Sequence, residues 1–266
     1  IVTESNVPHH ENISYWGDGE NQAHIIYNFS LAPLIIHALT FKTNEYLNKW
    51  AEDVFDIFPK TTYLNFTATH DGIGMRGLEG IVPESDVKAL CDITEQKDGF
   101  VGKKKSRDGT VRPYELNITW ASFLSDEKLH EDEFIRKVVN SHAIVMFFPG
   151  IGAHYVHNFF ATESWIEGRE ESGIPRRINR KKLPYPINYN DREVKVRDRL
   201  LDLIKFKSQN KLFSPKAGFR ILDLNPKVLS FERFMGDQSI QVHFNLSEQA
   251  IDLGDIKLRS YDIVFK

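Results

Sequence analysis

The chain has 266 residues, 41% of them hydrophobic and 27% charged, with a formal net charge of −3. That composition fits one large globular domain, or one domain with a smaller companion. It carries no basic stripe of the kind nucleic-acid binders use. The single cysteine, Cys91, excludes an internal disulfide framework and fits a reducing, cytoplasmic compartment. No apolar run reaches transmembrane length and no signal-peptide pattern opens the chain.

Residues 1–3 read as a short buried strand that ends at Glu4. A domain rarely starts in mid-core, so the sequence is expected to be the C-terminal part of a longer protein. Residues 5–21 are polar and turn-rich, a loop with one helical turn. A second strand follows over 23–29 and a helix over 31–39, with Pro33 in its first turn. Residues 44–55 form an amphipathic helix, with Leu47, Trp50, Ala51, Val54 and Phe55 on one face. The third strand, 62–67, runs into Thr69-His70-Asp71-Gly72.

A helix begins at Ser85 and carries Cys91 as a buried structural thiol. Residues 95–113, with Lys103, Lys104 and Lys105 at their centre, read as a solvated hairpin that ends in Tyr114-Glu115-Leu116-Asn117. A long helix spans 131–147. Pro149-Gly150 breaks it, and a fourth strand is expected over 153–156. Residues 162–182 read as a basic loop, and 193–208 as a charged amphipathic helix. Closely spaced strand candidates at 219–222, 228–234, 239–245, 250–253 and 260–265 then predict a small antiparallel β-domain. The expected division is 1–210 and 211–266.

Strands alternating with helices before residue 210 imply a parallel sheet. About four β/α units are present, where a closed (β/α)₈ barrel needs eight. The fold expected is therefore the C-terminal half of such a TIM barrel (strands 5 to 8) followed by the β-domain, with two raw sheet edges.

Three strand ends carry polar groups: Glu4, His70-Asp71, and His154 or His157. His70-Asp71-Gly72 fits an ordinary Asp-Gly turn, and equally a barrel strand delivering polar groups to its mouth. Two carboxylates converging from different strands are what glycoside chemistry needs, one as general acid/base and one ionised. The ten histidines form no compact zinc-type set. There is no nucleophile elbow, P-loop or dinucleotide fingerprint.

At these residues the sequence resembles a known family. Val2-Thr3-Glu4-Ser5-Asn6-Val7-Pro8-His9 is similar to the fifth-strand motif of sucrose-phosphorylase-like enzymes, within glycoside hydrolase family 13, the α-amylase family. Asn65-Phe66-Thr67-Ala68-Thr69-His70-Asp71-Gly72-Ile73-Gly74-Met75-Arg76 resembles their seventh-strand motif. Tyr27-Asn28-Phe29-Ser30-Leu31-Ala32-Pro33-Leu34 resembles the sixth strand, and Phe148-Pro149-Gly150-Ile151-Gly152-Ala153-His154-Tyr155 the turn into the eighth. Arg177-Ile178-Asn179-Arg180 also matches.

The resemblance implies a retaining α-glucosyl phosphorylase that converts an α-glucoside and phosphate to glucose 1-phosphate and a free acceptor. It implies Glu4 as general acid/base and Asp71 as the carboxylate that steadies the oxocarbenium-like transition state. His70 would grip the same ring, and Tyr114, Glu115 and Asn117 would lie on a mobile acceptor-side loop. Asn6 and Arg180 are further substrate-binding candidates, and Arg176 and Arg177 stand beside Arg180 as partners for an acidic group. Where plain sucrose phosphorylases resemble Tyr-Gln-Val-Asn, this chain has Tyr114-Glu115-Leu116-Asn117. With Asn6-Val7-Pro8, that points to the glucosylglycerate, glucosylglycerol and sucrose 6-phosphate phosphorylase branch. Ala161-Thr162-Glu163-Ser164 departs from that branch's Gly-Ser-Arg-Asn-like pattern, so the acceptor stays open.

The family nucleophile, an Asp in an Arg-x-Asp strand end, should precede Ile1. The chain alone is therefore expected to be inactive and to need the upstream half of the barrel. No metal and no organic cofactor are expected; inorganic phosphate is the co-substrate, with no nucleic-acid or membrane partner. The alternatives are an α-glucosidase or transglucosidase of the same clan, and a truncated carbohydrate-binding remnant without catalysis.

Overall fold

The computed structural model describes residues 1–54, 60–105 and 109–266. In chain order the first elements are β1 (Val2–Thr3), α1 (His9–Ser14), β2 (Ile25–Tyr27), α2 (Leu31–Phe41), α3 (Glu45–Val54), β3 (Thr62–Asn65) and β4 (Ile73–Gly74). They are followed by α4 (Glu84–Gln96), β5 (Phe100–Lys105), β6 (Val111–Asn117), α5 (Trp120–Leu124), α6 (Glu131–Phe147), β7 (Ile151–Gly152), α7 (Val156–Phe159), α8 (Ile166–Ser172) and α9 (Asp191–Gln209). The last stretch holds β8 (Gly218–Ile221), β9 (Val228–Met235), β10 (Gln238–Asn245), β11 (Ile251–Asp252), β12 (Lys257–Leu258) and β13 (Ile263–Phe265).

Four strands form one parallel sheet in the order β1-β2-β3-β7. Its two faces follow from the two-residue period of a strand. Ile26, Tyr63 and Asn65 are fully buried, whereas Ile25, Tyr27, Thr62 and Leu64, on the opposite face, stay partly open. The buried face lies under the helices. α2 is apolar on nearly every side, with Leu31 to Leu39 all buried, because it packs against α3, α6 and β4. α3 shows the narrower stripe of a surface helix, burying Leu47, Asn48, Trp50, Ala51 and Val54. Its expected last residue, Phe55, lies outside the described residues.

Polar side chains tie the strand ends together. The Asn28 amide donates to Asn65 Oδ1 at 2.9 Å, and the Asn65 amide donates to the Pro149 carbonyl at 2.9 Å. Both asparagines are fully buried, so each bond replaces one that water would otherwise supply.

Three expectations change. The β1 strand exists but is not buried: Ile1 is 73% and Val2 55% exposed, because β1 pairs only with β2. The fourth parallel strand is Ile151–Gly152, two residues earlier than expected, and residues 156–159 are helical. The basic stretch 162–182 is not all loop; it holds α8 and a 3₁₀ segment, Pro175–Asn179.

The solvated hairpin is β5 and β6, and β6 also pairs with β4, giving an antiparallel three-stranded sheet in the order β4-β6-β5. Residues 106–108, between the two strands in sequence, lie outside the described residues. α9 is opened by a capping box: Glu193 N–H donates to Asn190 Oδ1 at 3.0 Å, and Asn190 N–H to Glu193 Oε2 at 2.9 Å.

The last strands form an antiparallel sheet in the order β13-β10-β9-β8. Arg233 of β9 pins it to α6. Its buried guanidinium donates to the carbonyls of Phe147 (3.1 Å), Ser214 (2.8 Å), Ala217 (3.2 Å) and Gly218 (3.1 Å). Phe147 is the last residue of α6, where the helix dipole favours a cation. Arg136 adds bonds to the Ser260 carbonyl and hydroxyl, both at 2.8 Å.

Candidate active site

Residues 69–72 form a closed two-residue turn. Thr69 and Gly72 exchange N–H···O=C bonds of 3.0 Å in both directions, and Asp71 N–H donates to Thr69 Oγ1 at 3.1 Å. Gly72 has φ +93°, and a Cβ there would stand 2.2 Å from the Leu116 carbonyl oxygen of β6. Only glycine suits that backbone and that approach. The tight turn aims His70 and Asp71 outward. His70 is the more exposed, and its Nε2 lies 3.4 Å from Asp71 Oδ1.

The Asp71 carboxylate is gripped from the 3₁₀ segment and the residue after it. Arg176 Nη1 stands 3.0 Å from Oδ2, and Arg180 Nη2 donates to Oδ1 at 2.6 Å. Arg180 Nε also donates to the His70 carbonyl at 2.9 Å, which fixes the turn itself. Arg176 reaches further, with Nε to Glu115 Oε1 at 2.9 Å and Nη2 to Oε2 at 2.6 Å, a bidentate fork on a carboxylate. The hydrogen bonds to Glu115, ahead of every other influence, hold the Arg176 guanidinium even further above neutrality than usual.

Tyr114, Glu115 and Asn117 lie on strand β6, not on a loop. Glu115 pairs with Gly74 and Gly102 and Asn117 with Phe100, whereas a register shift between Gly102 and Lys103 leaves Tyr114 without a ladder partner, its carbonyl accepting the Met75 N–H at 3.0 Å. Asn117 is fully buried, and its amide donates to Glu115 Oε1 at 3.3 Å. The Asn6 amide donates to the Tyr114 carbonyl at 2.8 Å, linking the segment after β1 to β6. A groove of about 620 Å³ borders Phe100, Gly102, Glu115, Asn117, Pro175 and Arg176.

Glu4 follows β1 directly, is exposed, and lies close enough to Tyr27 to help burial hold that phenol's proton more tightly. Among the described residues it joins no ion pair. The structure therefore gathers Asp71, His70, Glu115, Asn117, Arg176 and Arg180 into one network, joins Asn6 to it through Tyr114, and leaves Glu4 apart. Arg177 turns away, its guanidinium 5.5 Å from the centre of the Trp165 ring.

Neither His154 nor His157 supplies a strand-end group to this network. His157 is buried on α7. His154 turns inward, its Nδ1 3.0 Å from His142 Nδ1 on α6. Tyr155 occupies the place expected of a histidine: its ring is 6.3 Å from that of His70, and its hydroxyl donates to the Asn179 carbonyl at 2.9 Å. Among the described residues no group of three or more His, Cys, Asp or Glu side chains converges as a metal site. Burial pushes the Cys91 thiol up to about 11, as a structural cysteine requires.

The histidine pair has a consequence for pH. Burial lowers His154 from 6.5 to about 4 and His142 well below its ordinary value. Below pH 6.5 the unfolded chain takes up protons that the folded one refuses. Stability should therefore be full above pH 6.5 and fall as pH drops toward 4, by up to about 1.4 kcal/mol per pH unit for each histidine. Urea midpoints at a series of pH values check this, and His154→Gln should flatten the slope.

No protein-family model matches the chain. Curated proteins do. The glucosylglycerate phosphorylase of Escherichia coli is 34% identical over 99% of this chain and 48% of its own length. That of Spirochaeta thermophila is 35% identical over 91% of this chain and 42% of its own. Along nearly its whole length the chain is similar to these enzymes, which bears out its resemblance to the sucrose-phosphorylase-like branch of glycoside hydrolase family 13.

Among solved structures, sucrose 6F-phosphate phosphorylase from Thermoanaerobacter thermosaccharolyticum superposes over 100% of this chain and 51% of its own, with a TM-score of 0.73 at 22% identity. An α-amylase from H. orenii matches with a TM-score of 0.58 at 14% identity, over 94% of this chain and 43% of its own. These likenesses identify the four parallel strands and their helices as the C-terminal half of a (β/α)₈ barrel, followed by an antiparallel β-domain. The chain spans about half the length of the curated relatives it matches. No helix among the described residues is long and apolar enough to cross a membrane.

Proposed function

We propose that this chain supplies half of the catalytic barrel of a retaining α-glucosyl phosphorylase. The observation that carries the reading is the match to glucosylglycerate phosphorylases along 99% of the chain. In this reading Glu4 donates a proton to the acceptor oxygen as its bond to the glucosyl C1 breaks. An aspartate from the complementary half takes C1 as a glucosyl ester. A phosphate oxygen then attacks C1, the ester bond breaks, and Glu4 receives the phosphate proton. Two inversions leave α-glucose 1-phosphate.

Asp71 faces the ring on which positive charge develops, and His70 and Arg180 hold that ring's polar groups. Tyr114, Glu115, Asn117 and Asn6 form the acceptor side. The working division is 1–210 for the barrel part and 211–266 for the β-domain. The protein acts in the cytoplasm, without metal or organic cofactor, on a small glucoside and phosphate. Alone, this chain lacks the nucleophile and is expected to be inactive.

The test is phosphate dependence in the intact barrel. Glucosides of glycerate, glycerol and fructose 6-phosphate are offered with and without phosphate. Glucose 1-phosphate should appear only with phosphate. Release of free glucose at the same rate in its absence would make the protein a hydrolase of the same clan, and no cleavage at all would favour a non-catalytic carbohydrate-binding role.

A further inference from the structure

Among the described residues, Arg176 is the one side chain that touches both ends of the site. Its three guanidinium nitrogens are divided between two carboxylates from different elements: Nε and Nη2 on Glu115 of β6, and Nη1 on Asp71 of the 69–72 turn. Glu115 is 9% exposed and lies across Gly102, where a Cβ would come within 2.9 Å of the Glu115 Cγ. The carboxylate thus has little freedom except toward Arg176. Asp71 in turn has one oxygen on Arg176 and the other on Arg180. Formal charge is balanced across the four groups, so neither arginine stands as a free cation for an incoming anion.

We propose that Arg176 is a positioning residue: it links the strand bearing Tyr114 and Glu115 to the Asp71 carboxylate and sets that carboxylate's orientation. The inference rests on the function proposed above. Acceptor-side contacts that move Glu115 would be felt at Asp71 through a planar fork. Lysine, with a single nitrogen on a flexible stem, cannot span the same three oxygens.

The experiment uses the intact barrel and α-glucosyl fluoride, whose leaving group needs nothing from the acceptor side. Arg176→Lys and Glu115→Gln should each lower kcat on the fluoride by about tenfold or more, and the double variant should fall no further than Arg176→Lys alone. A residue that only contacts the acceptor would leave turnover of the fluoride unchanged, and that result overturns the proposal. Hydrogen exchange separates this from a failure of the functional reading. In Arg176→Lys the amides of Asp71 and Gly72 should exchange about tenfold faster while those in the middle of α6 do not change. Unaltered exchange would remove the link even in a protein that proved inactive.

Discussion

Glu4→Gln in the intact barrel is expected to lower phosphorolysis of a natural glucoside by about 10³-fold, within the range usual for loss of a general acid. A glutamine keeps the size and hydrogen-bonding capacity of the side chain but cannot deliver a proton. The loss should be uneven across substrates. A sugar-alkoxide leaving group needs the proton, whereas fluoride departs without one, so the first step on α-glucosyl fluoride should be spared. Rapid-mix measurement of fluoride release, set beside steady-state phosphorolysis, separates the two steps. Equal losses on both substrates would show that Glu4 acts on something other than leaving-group protonation.

The second large effect belongs to Gly72→Ala. The added Cβ would meet the Leu116 carbonyl oxygen at 2.2 Å, and the backbone would be held at φ +93°. Neither contact can relax cheaply, since the obstacle is backbone in the middle of a ladder. Left-handed strain of about 1–2 kcal/mol and overpacking of about 1–3 kcal/mol together give about 3 kcal/mol of destabilisation. The urea midpoint measures it. If the turn shifts rather than unfolds, Asp71 moves off its two arginines and kcat falls with little change in KM. A variant with unchanged stability and kinetics would mean that the turn is not held against β6.

The parts of this structure legible in the sequence are those where burial imposes a period. The helix over 131–147 is the clearest, since Phe134, Ile135 and then every residue from Val138 to Phe147 are buried. The His70-Asp71 turn was legible because Asp-Gly chemistry is local. α8 was not: of its seven residues only Gly168 is buried, so it leaves no apolar stripe to read. β7 is two residues long, too short for alternation to fix its position, and its place comes from pairing with Leu64 and Asn65. Tyr114 to Asn117 give no strand alternation because polar Glu115 and Asn117 are buried beside apolar Leu116, and a register shift between Gly102 and Lys103 leaves Tyr114 unpaired. Arg176 is the sharpest case. Arg176 and Arg180 are four residues apart and visible as a basic pair, but the carboxylates that claim Arg176 come from residues 71 and 115, and no local pattern announces such partners.

The buried amides of Asn28 and Asn65 act as a ruler. A parallel strand could slide by two residues and still present the same face to the helices. Here such a slip would strand both amides away from water, at about 1–3 kcal/mol each, which disfavours the slipped sheet by roughly 30-fold or more. The height at which each strand ends is therefore quantised by two side chains rather than graded by apolar contact. The loops that rise from those ends inherit the setting, and the distance across the mouth is decided in the dry interior of the sheet.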